Sequence, residues 1–459
     1  MTFIYANSFT YAHLADLHLG SWREPKMREL SIKAFLLAVD QCIKKEVDFI
    51  LFAGDLFNTS LPSLDTLKIV TKKLKELKDS NIPLYAIAGS HDFSPSGKTM
   101  IDVLENAGLL KNVCKGRVDS ETKQLHLEWT IDAKTGAKIT GILGRKGLLD
   151  KTYYQNLYLK NLEQEQVGQK AEEESKQGEK SIYREESKQK QGYRIFMFHT
   201  AISELKPKHL EDLESHPVSF LPKGLNYYAG GHIHHKTEIN IPEYGTMTYP
   251  GALFPNNFTE VESYSYGGYY IVTVEEKEEK ERRSEPEPGY GQEIKCEQKI
   301  EWIPLQIIRH EKLILDGSGK SSEEVTSEIL SRFENKNLQN TIVTIRLRGT
   351  LSSGRISDIN FNNIFSQLYA QGACFIMKNT SRLQSKEYEE IKISAHNPEN
   401  IEEEIIKEHL QQLLLFDKET ELQVTKSLLA ALNTSKKEGE TVADFQRRVK
   451  EGVNNLLNI

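Results

Sequence analysis

From residue 9 to about residue 150 the chain alternates short apolar runs with amphipathic stretches. Phe9–Asp16, Val47–Asp55 and Ile82–Gly89 each read as a buried strand, an apolar run that stops at a polar residue or glycine. Between the last two, Leu64, Leu67, Val70, Leu74 and Leu77 recur at three- and four-residue spacing, which is one face of a helix. Pro62, shortly after Ser60, is expected in the first turn of that helix, where a missing N–H costs nothing. Further strands are expected at Arg194–His199, Tyr227–Gly231 and Gly268–Val274. Strands that alternate with helices imply a parallel or mixed sheet covered on both faces.

Two stretches interrupt this pattern. Residues 161–192 hold 14 charged residues and five apolar ones, too few to bury a core, and Glu-Glu-Ser-Lys-Gln occurs there at both 173–177 and 185–189. Residues 275–292 are similar in character, and Pro286, Pro288, Gly289 and Gly291 break any helix. Beyond them, 296–396 reads as a smaller α+β unit with strands at Ile342–Leu347 and Ala373–Lys378 around a helix at Ile359–Ala370. From Pro398 onward the pattern is helical, with segments at Ile401–Phe416 and Leu422–Leu432. Val442, Phe445, Val449, Val453 and Leu456 then form an apolar stripe, which either closes a small local core or serves a partner.

A length of 459 residues suggests about three domains, so a sizeable core is available. No apolar run approaches the roughly 18 residues of a membrane helix, and the N-terminus has no basic region before an apolar one. Four scattered cysteines without a paired motif fit a reducing compartment, so a cytoplasmic or nucleoid location is expected, with no membrane association. The formal charge of −7 excludes nucleic-acid binding by overall charge and leaves it to local patches or bound metal.

Five elements at predicted strand ends carry the chemistry: Asp16-x-His18, Gly54-Asp55, Gly89-Ser90-His91-Asp92, His199, and Gly231-His232-x-His234. Open α/β sheets place ligand sites beyond the carboxyl ends of their strands, so these residues can converge. Oxygen and imidazole donors without thiolate suit manganese, iron or zinc. Two carboxylates cannot neutralise two divalent cations, so the site stays positive inside an acidic protein and favours a phosphate ester as substrate.

The order DxH, GD, a GNHD-like element, a lone His and GHxH resembles the calcineurin-like metallophosphoesterases. The longer strings AHLADLHLG, AGDLFN, GSHD and YPGALFP resemble the SbcD-type branch, the nuclease subunit (meiotic recombination eleven family) of a complex that processes DNA double-strand breaks. The resemblance covers roughly residues 9–274 and implies an α/β fold. Its core is two mixed sheets flanked by helices, followed by a small α+β capping domain and a helical C-terminal segment. On that plan residues 1–274 are the nuclease core with the insertion 161–192, and 275–295 a charged linker or hairpin. Residues 296–396 are then a DNA-binding cap, and 397–459 a helical segment that binds an SMC-like ABC ATPase.

The resemblance assigns Asp16, His18, Asp55 and His234 to one Mn2+ and Asp55, Ser90, His199 and His232 to a second, with Asp55 bridging. His91 matches the histidine that binds the phosphate and protonates the leaving oxygen, and Asp92 is expected to orient it. The implied activity is a manganese-dependent 3′-to-5′ exonuclease and single-strand or hairpin endonuclease on DNA ends. A homodimer paired through Lys26–Ile43 and Leu61–Leu77 is also implied.

Two positions depart from the family pattern. Ser90 replaces an Asn, substituting a shorter hydroxyl for a carboxamide oxygen, and Asn58 stands where a His is frequent. Asn58 can still donate to a phosphate. Trp22, Arg23, Lys26 and Arg28 follow the first motif, and Arg23 is a candidate DNA-phosphate contact beside the alternative of a solvated charged face. His13 is read as structural and His235 as exposed. Cys114, His126, His310, His396 and His409 lack motif context. Two rival functions remain: a phosphoesterase for a small or lipid-linked substrate, and a DNA-end-binding scaffold weakened at Ser90.

Overall fold

The computed structural model describes residues 8–94, 96–145, 149–158, 192–277, 295–386, 406, 417–436 and 440–457. The insertion 161–192 apart from Gly192, the stretch 278–294, and the predicted segment Ile401–Phe416 apart from Ile406 lie outside the described residues. The chain divides into two compact units. The first comprises residues 1–312, 338–344 and 372–377, and the second 313–337, 345–371 and 378–459.

The first unit opens with β1 (Ser8–Leu14), α1 (Pro25–Lys44), β2 (Phe49–Ala53), α2 (Leu64–Asp79), β3 (Leu84–Ile87), α3 (Met100–Asn106) and β4 (Lys111–Asn112). After β5 (Gly116–Val118), β6 (Leu125–Leu127) and β7 (Thr130–Ile131) come β8 (Lys138–Gly141), α4 (Lys151–Gln155) and β9 (Leu157–Tyr158). Next are β10 (Arg194–His199), β11 (Tyr227–Gly231), β12 (Thr237–Ile241), β13 (Gly245–Tyr249) and α5 (Phe258–Tyr264). The hairpin arms β14 (Gly268–Lys277) and β15 (Lys295–Pro304) follow. Two six-stranded mixed sheets result, in the orders β15-β14-β1-β2-β3-β4 and β12-β13-β11-β10-β8-β7. Within them β1, β2 and β3 are mutually parallel, as are β8, β10, β11 and β13.

The alternation along each strand explains the layering. In β1 and β2, Phe9, Tyr11, Phe49 and Leu51 face one way and meet Ile195, Met197 and Tyr227 of the second sheet in a shared inner core. Their neighbours Ala12, Leu14, Ile50 and Phe52 face the other way, onto Phe35 and Ala38 of α1 and Val70 and Leu74 of α2. Phe196 and Phe198 of β10 cover the outer face of the second sheet. Strands buried on both faces lack a polar side, which is why they read as continuous apolar runs. The two-sheet α/β core expected from the sequence is therefore present.

Two expectations differ in detail. Helix α2 begins at Leu64 and is capped by the Ser63 side chain, so Pro62 precedes the helix instead of occupying its first turn. The sequence boundary at 274 falls inside a strand: β14 runs to Lys277 and pairs antiparallel with β15 along ten positions. The first unit accordingly extends to Lys312. His13 is fully buried between sheets, its Nδ1 3.0 Å from the Tyr227 hydroxyl and 3.1 Å from that of Thr248, as a structural histidine should be.

A three-stranded sheet follows in the order β16 (Arg309–Asp316), β17 (Thr341–Leu351), β18 (Ala373–Ser385). Helix α6 (Ser322–Phe333) is fixed by a capping box between Ser321 and Glu324, and α7 (Phe361–Ala370) by the Asn360 side chain. Helices α8 (Lys418–Leu432) and α9 (Val442–Leu457) pack on each other. Phe445, Val449 and Val453 of the predicted stripe are half-buried, while Leu456 is exposed. Among the described residues no helix is long and apolar enough to cross a membrane.

Burial pushes the His13 imidazole from its ordinary 6.5 down to about 3. The unfolded chain binds a proton there below about 6.5, whereas the folded chain does so only near 3. This histidine's contribution to stability is therefore intact above 6.5 and is lost as the pH falls toward 3. At about 1.4 kcal/mol per pH unit, chelator-treated protein should lose roughly 2 kcal/mol more than His13→Gln between pH 6.5 and 5. Parallel pH slopes in thermal or urea unfolding of the two proteins would contradict this.

Candidate metal centre

All five motifs sit where strands of the two sheets end: after β1, after β2, after β3, at the last residue of β10, and just beyond β11. The first two loops are zipped together by Asp16 N–H to Gly54 O (3.2 Å), His18 N–H to Asp55 O (3.0 Å) and Leu19 N–H to Leu56 O (3.1 Å). Asp16, His18, Asp55 and His232 all take left-handed backbone conformations, with φ of 51°, 42°, 53° and 88°. For non-glycine residues that costs on the order of 1–3 kcal/mol each and persists only where surrounding bonds enforce it. Gly54 and Gly89 permit the close approach: a Cβ on Gly54 would collide with the His199 ring, and one on Gly89 with Asp55.

Asp55 is the hub. Its Oδ1 accepts the His91 backbone N–H at 2.7 Å. Its Oδ2 accepts the Ser90 hydroxyl at 3.3 Å and lies 3.1 Å from His199 Nε2 and 3.5 Å from His18 Nε2. Asp16 takes the backbone N–H of His232 on both oxygens, at 2.9 and 3.0 Å. Its Oδ1 lies 3.8, 3.9 and 4.0 Å from Nε2 of His234, His199 and His18. Three donor sets with ligand atoms within 4.8 Å of one another result: Asp16–His18–His234, His18–Asp55–His91 and Asp16–Asp55–His199.

The imidazoles are oriented as ligands. His199 Nδ1 donates to Ala53 O (2.7 Å), His91 Nδ1 to Asn58 O (2.7 Å), and His234 Nδ1 to the Glu260 carboxylate (2.9 Å). A carbonyl or carboxylate can only accept, so Nδ1 carries the proton in each ring and Nε2 is left as the free nitrogen. His199 Nε2 is fully buried against Asp55 Oδ2 at 3.1 Å, and His18 Nε2 and His234 Nε2 face each other at 3.1 Å. Lone-pair nitrogens converging on two buried carboxylates fit divalent cations.

Protons take the cations' place when metal is absent. Burial disfavours a charged His199, but Asp55 and Asp16 outweigh it and push the imidazole up to about 10. His234 is likewise pushed up to about 9, against burial, by Glu260 and Asp16. Burial, and the neighbouring histidines, hold His232 down to about 4 and His18 well below its usual value. Burial opposes ionisation of Asp55, yet His199, His18 and the His91 N–H keep its carboxyl far below the usual range. Asp16 is raised to about 6, chiefly by burial.

Of the residues singled out from sequence, Asp16, His18, Asp55, Ser90, His91, His199 and His234 meet in this cluster. His232 joins through its backbone and through a ring 5.4 Å from that of His199. Asp92 departs from expectation. Its buried carboxylate accepts the backbone N–H groups of Asp55 (3.0 Å) and Gly89 (2.8 Å), while the His91 ring is oriented by Asn58 O instead. Burial and the charge of Asp55 push its carboxyl up to about 7. Asp92 is thus a positioning residue that clamps two loops. Asn58 contributes its backbone carbonyl, and Arg23 is exposed, its own carbonyl accepting from Arg28. His235 is half-buried, with its ring 5.6 Å from Tyr264. Glu260 was not anticipated. Asn257 and Glu260 have the spacing of a helix cap, and the Asn257 side chain does cap α5, which masks the reach of Glu260 to His234.

The family model of the calcineurin-like phosphoesterases matches residues 9–236. The DNA double-strand break repair protein Mre11 of Archaeoglobus fulgidus is 37% identical over 102 residues, 22% of this chain and 23% of that protein. Mre11 of Methanococcus maripaludis is 28% identical over 265 residues, 56% of this chain and 60% of that protein. The uncharacterized metallophosphoesterase YhaO of Bacillus subtilis is 26% identical over 275 residues, 58% of this chain and 57% of that protein. The chain spans less than two thirds of the length of these relatives.

Two outcomes are expected. Because His199 and His234 are cationic at neutral pH without metal and must lose protons to bind it, affinity should rise with pH through 7 toward 9. Manganese titration calorimetry at pH 7 in buffers of different ionisation enthalpy should show release of about two protons, and none would refute the assignment. Glu260→Gln should weaken metal binding by about 10- to 100-fold, and an unchanged isotherm would remove Glu260 from the site.

Proposed function

We propose that this chain, which carries a calcineurin-like metallophosphoesterase domain over residues 9–236, is a manganese-dependent DNA nuclease acting on the ends of broken DNA. The observation that carries the hydrolytic part is the convergence of His18, His199 and His234 Nε2 on the Asp16 and Asp55 carboxylates. The choice of DNA rests on the repeated similarity to proteins named for double-strand break repair.

In this reading Asp16, His18, Asp55 and His234 hold one ion, and Asp55, Ser90, His199 and His232 the other. Bound divalent ions supply Lewis acidity that activates water and steadies charge on the phosphoryl oxygens. With its Nδ1–H committed to Asn58 O, His91 is left with Nε2 as the atom that would pass a proton to the leaving oxygen. Asp92 fixes the spacing of the Asp55 and Gly89 turns, and Asn58 and Arg23 are the proposed phosphate contacts. The helices α8 and α9 are proposed to bind an SMC-like ABC ATPase, and residues 296–396 to hold DNA. Leu61 and Leu64, 77% and 83% exposed beside α2, support pairing of two copies there. A phosphodiesterase for small substrates is the second reading; the match to YhaO, named only as a metallophosphoesterase, supports the phosphoesterase chemistry that both readings share.

Purified protein with manganese should shorten end-labelled duplex DNA, and chelation should abolish this. His91→Ala should cut the rate by about 10²–10⁴-fold at equal metal content. Hydrolysis of bis(p-nitrophenyl) phosphate with DNA left intact would instead establish the small-substrate reading.

A further inference from the structure

A cavity of about 330 Å³ opens next to the metal centre, and the ligand His234 lines it. Its other notable walls are His235, Lys236, Tyr264, Tyr266 and Trp302. Three elements supply them: the loop after β11, the end of α5 and the strand β15. The aromatic walls are mutually braced. Tyr266 and Trp302 have ring centroids 6.2 Å apart, His235 and Tyr264 5.6 Å apart, and Trp302 Nε1 donates to Pro250 O at 3.0 Å. Lys236 is exposed, and its Nζ lies 4.7 Å from the Trp302 ring centroid.

We propose that this cavity is a nucleobase-stacking subsite that receives an unpaired base adjoining the phosphate at the metal centre. Three arguments lead there. Aromatic faces with a neighbouring cation are how proteins hold bases without reading their sequence. The volume is at the low end of small-ligand cavities, enough for a single nucleoside and too small for a base pair with its backbone. Finally, His234 belongs both to the cavity wall and to the Asp16–His18–His234 donor set, so an occupant lies beside the phosphate those residues hold. Lys236, long and solvated, is free to leave the indole face as the base arrives and to meet the adjoining phosphate. Such a subsite selects strands whose terminal nucleotide is already unstacked, namely single strands, frayed ends and hairpin tips.

The subsite deepens the phosphodiesterase reading of the adjoining centre and rests on it, but its test is separable. The probe is 2-aminopurine deoxyribonucleoside 5′-monophosphate, whose fluorescence falls when its base stacks. Quenching is compared at equal metal content for the wild-type chain, Trp302→Leu and Tyr264→Leu, with DNA shortening assayed on the same samples. The expected result is saturable quenching whose dissociation constant rises about tenfold in either variant. Tyr264 lies on a different element, so a folding defect in the Trp302 variant leaves the second variant informative. No saturable quenching by wild-type protein, or equal quenching in wild-type protein and Tyr264→Leu, would overturn the subsite even if DNA is cut. Quenching without DNA cleavage would instead overturn the nuclease reading and retain the cavity as a mononucleotide site.

Discussion

Two carboxylates buried at the meeting of two sheets set the terms for everything near them. Asp16 and Asp55 are almost completely inaccessible, and an unpaired buried carboxylate would be prohibitively costly or would protonate. The chain meets that demand with backbone N–H groups of His91 and His232, and with imidazoles drawn from four loops. Left-handed conformations at Asp16, His18, Asp55 and His232 are the cost of that convergence, and the zipped β1 and β2 loops supply the bonds that maintain it. Fold and site are thus one construction, since the parallel strands exist to bring their carboxyl ends to these two groups.

The same arrangement confines the charge that the proposed activity needs to one place in an acidic protein of charge −7. Without metal, protons on His199 and His234 offset the Asp16 and Asp55 carboxylates, and divalent cations in their place would leave the centre positive. The rest of the site is kept neutral, with burial and the neighbouring imidazoles holding His18 and His232 uncharged. On the proposed reading, an anionic ester would meet a cationic centre only where the cations are bound, not at the surface at large.

Much of this was legible in the sequence, because strand ends and ligand residues coincide in short motifs. The alternation of strands with helices implied a sheet covered on both faces, and DxH, GD, GSHD, His199 and GHxH marked candidate donors that the fold brings together. What escaped was set by tertiary contacts. Asp92 follows His91 directly, and proximity suggested that it orients that ring, yet the inward turn of its side chain commits it to the N–H groups of Asp55 and Gly89. Glu260 drew no notice in the sequence, where a glutamate at a helix start is ordinary, and only the packing of α5 beside the loop after β11 reveals its bond to His234. The charged stretch after residue 274 hid the fact that β15 returns to extend the first sheet, because nothing local in a strand states its pairing partner. That return also brings Trp302 beside the centre, a placement no motif announces.

The central claim is that one carboxylate, Asp55, joins two ion sites. Electron paramagnetic resonance of manganese-loaded protein, with metal content measured in parallel, tests it most directly. The expected result is two manganese ions per chain with the signal of a magnetically coupled pair, lost together with both ions in Asp55→Asn. Uncoupled single-ion signals, or two ions retained by Asp55→Asn, would contradict it.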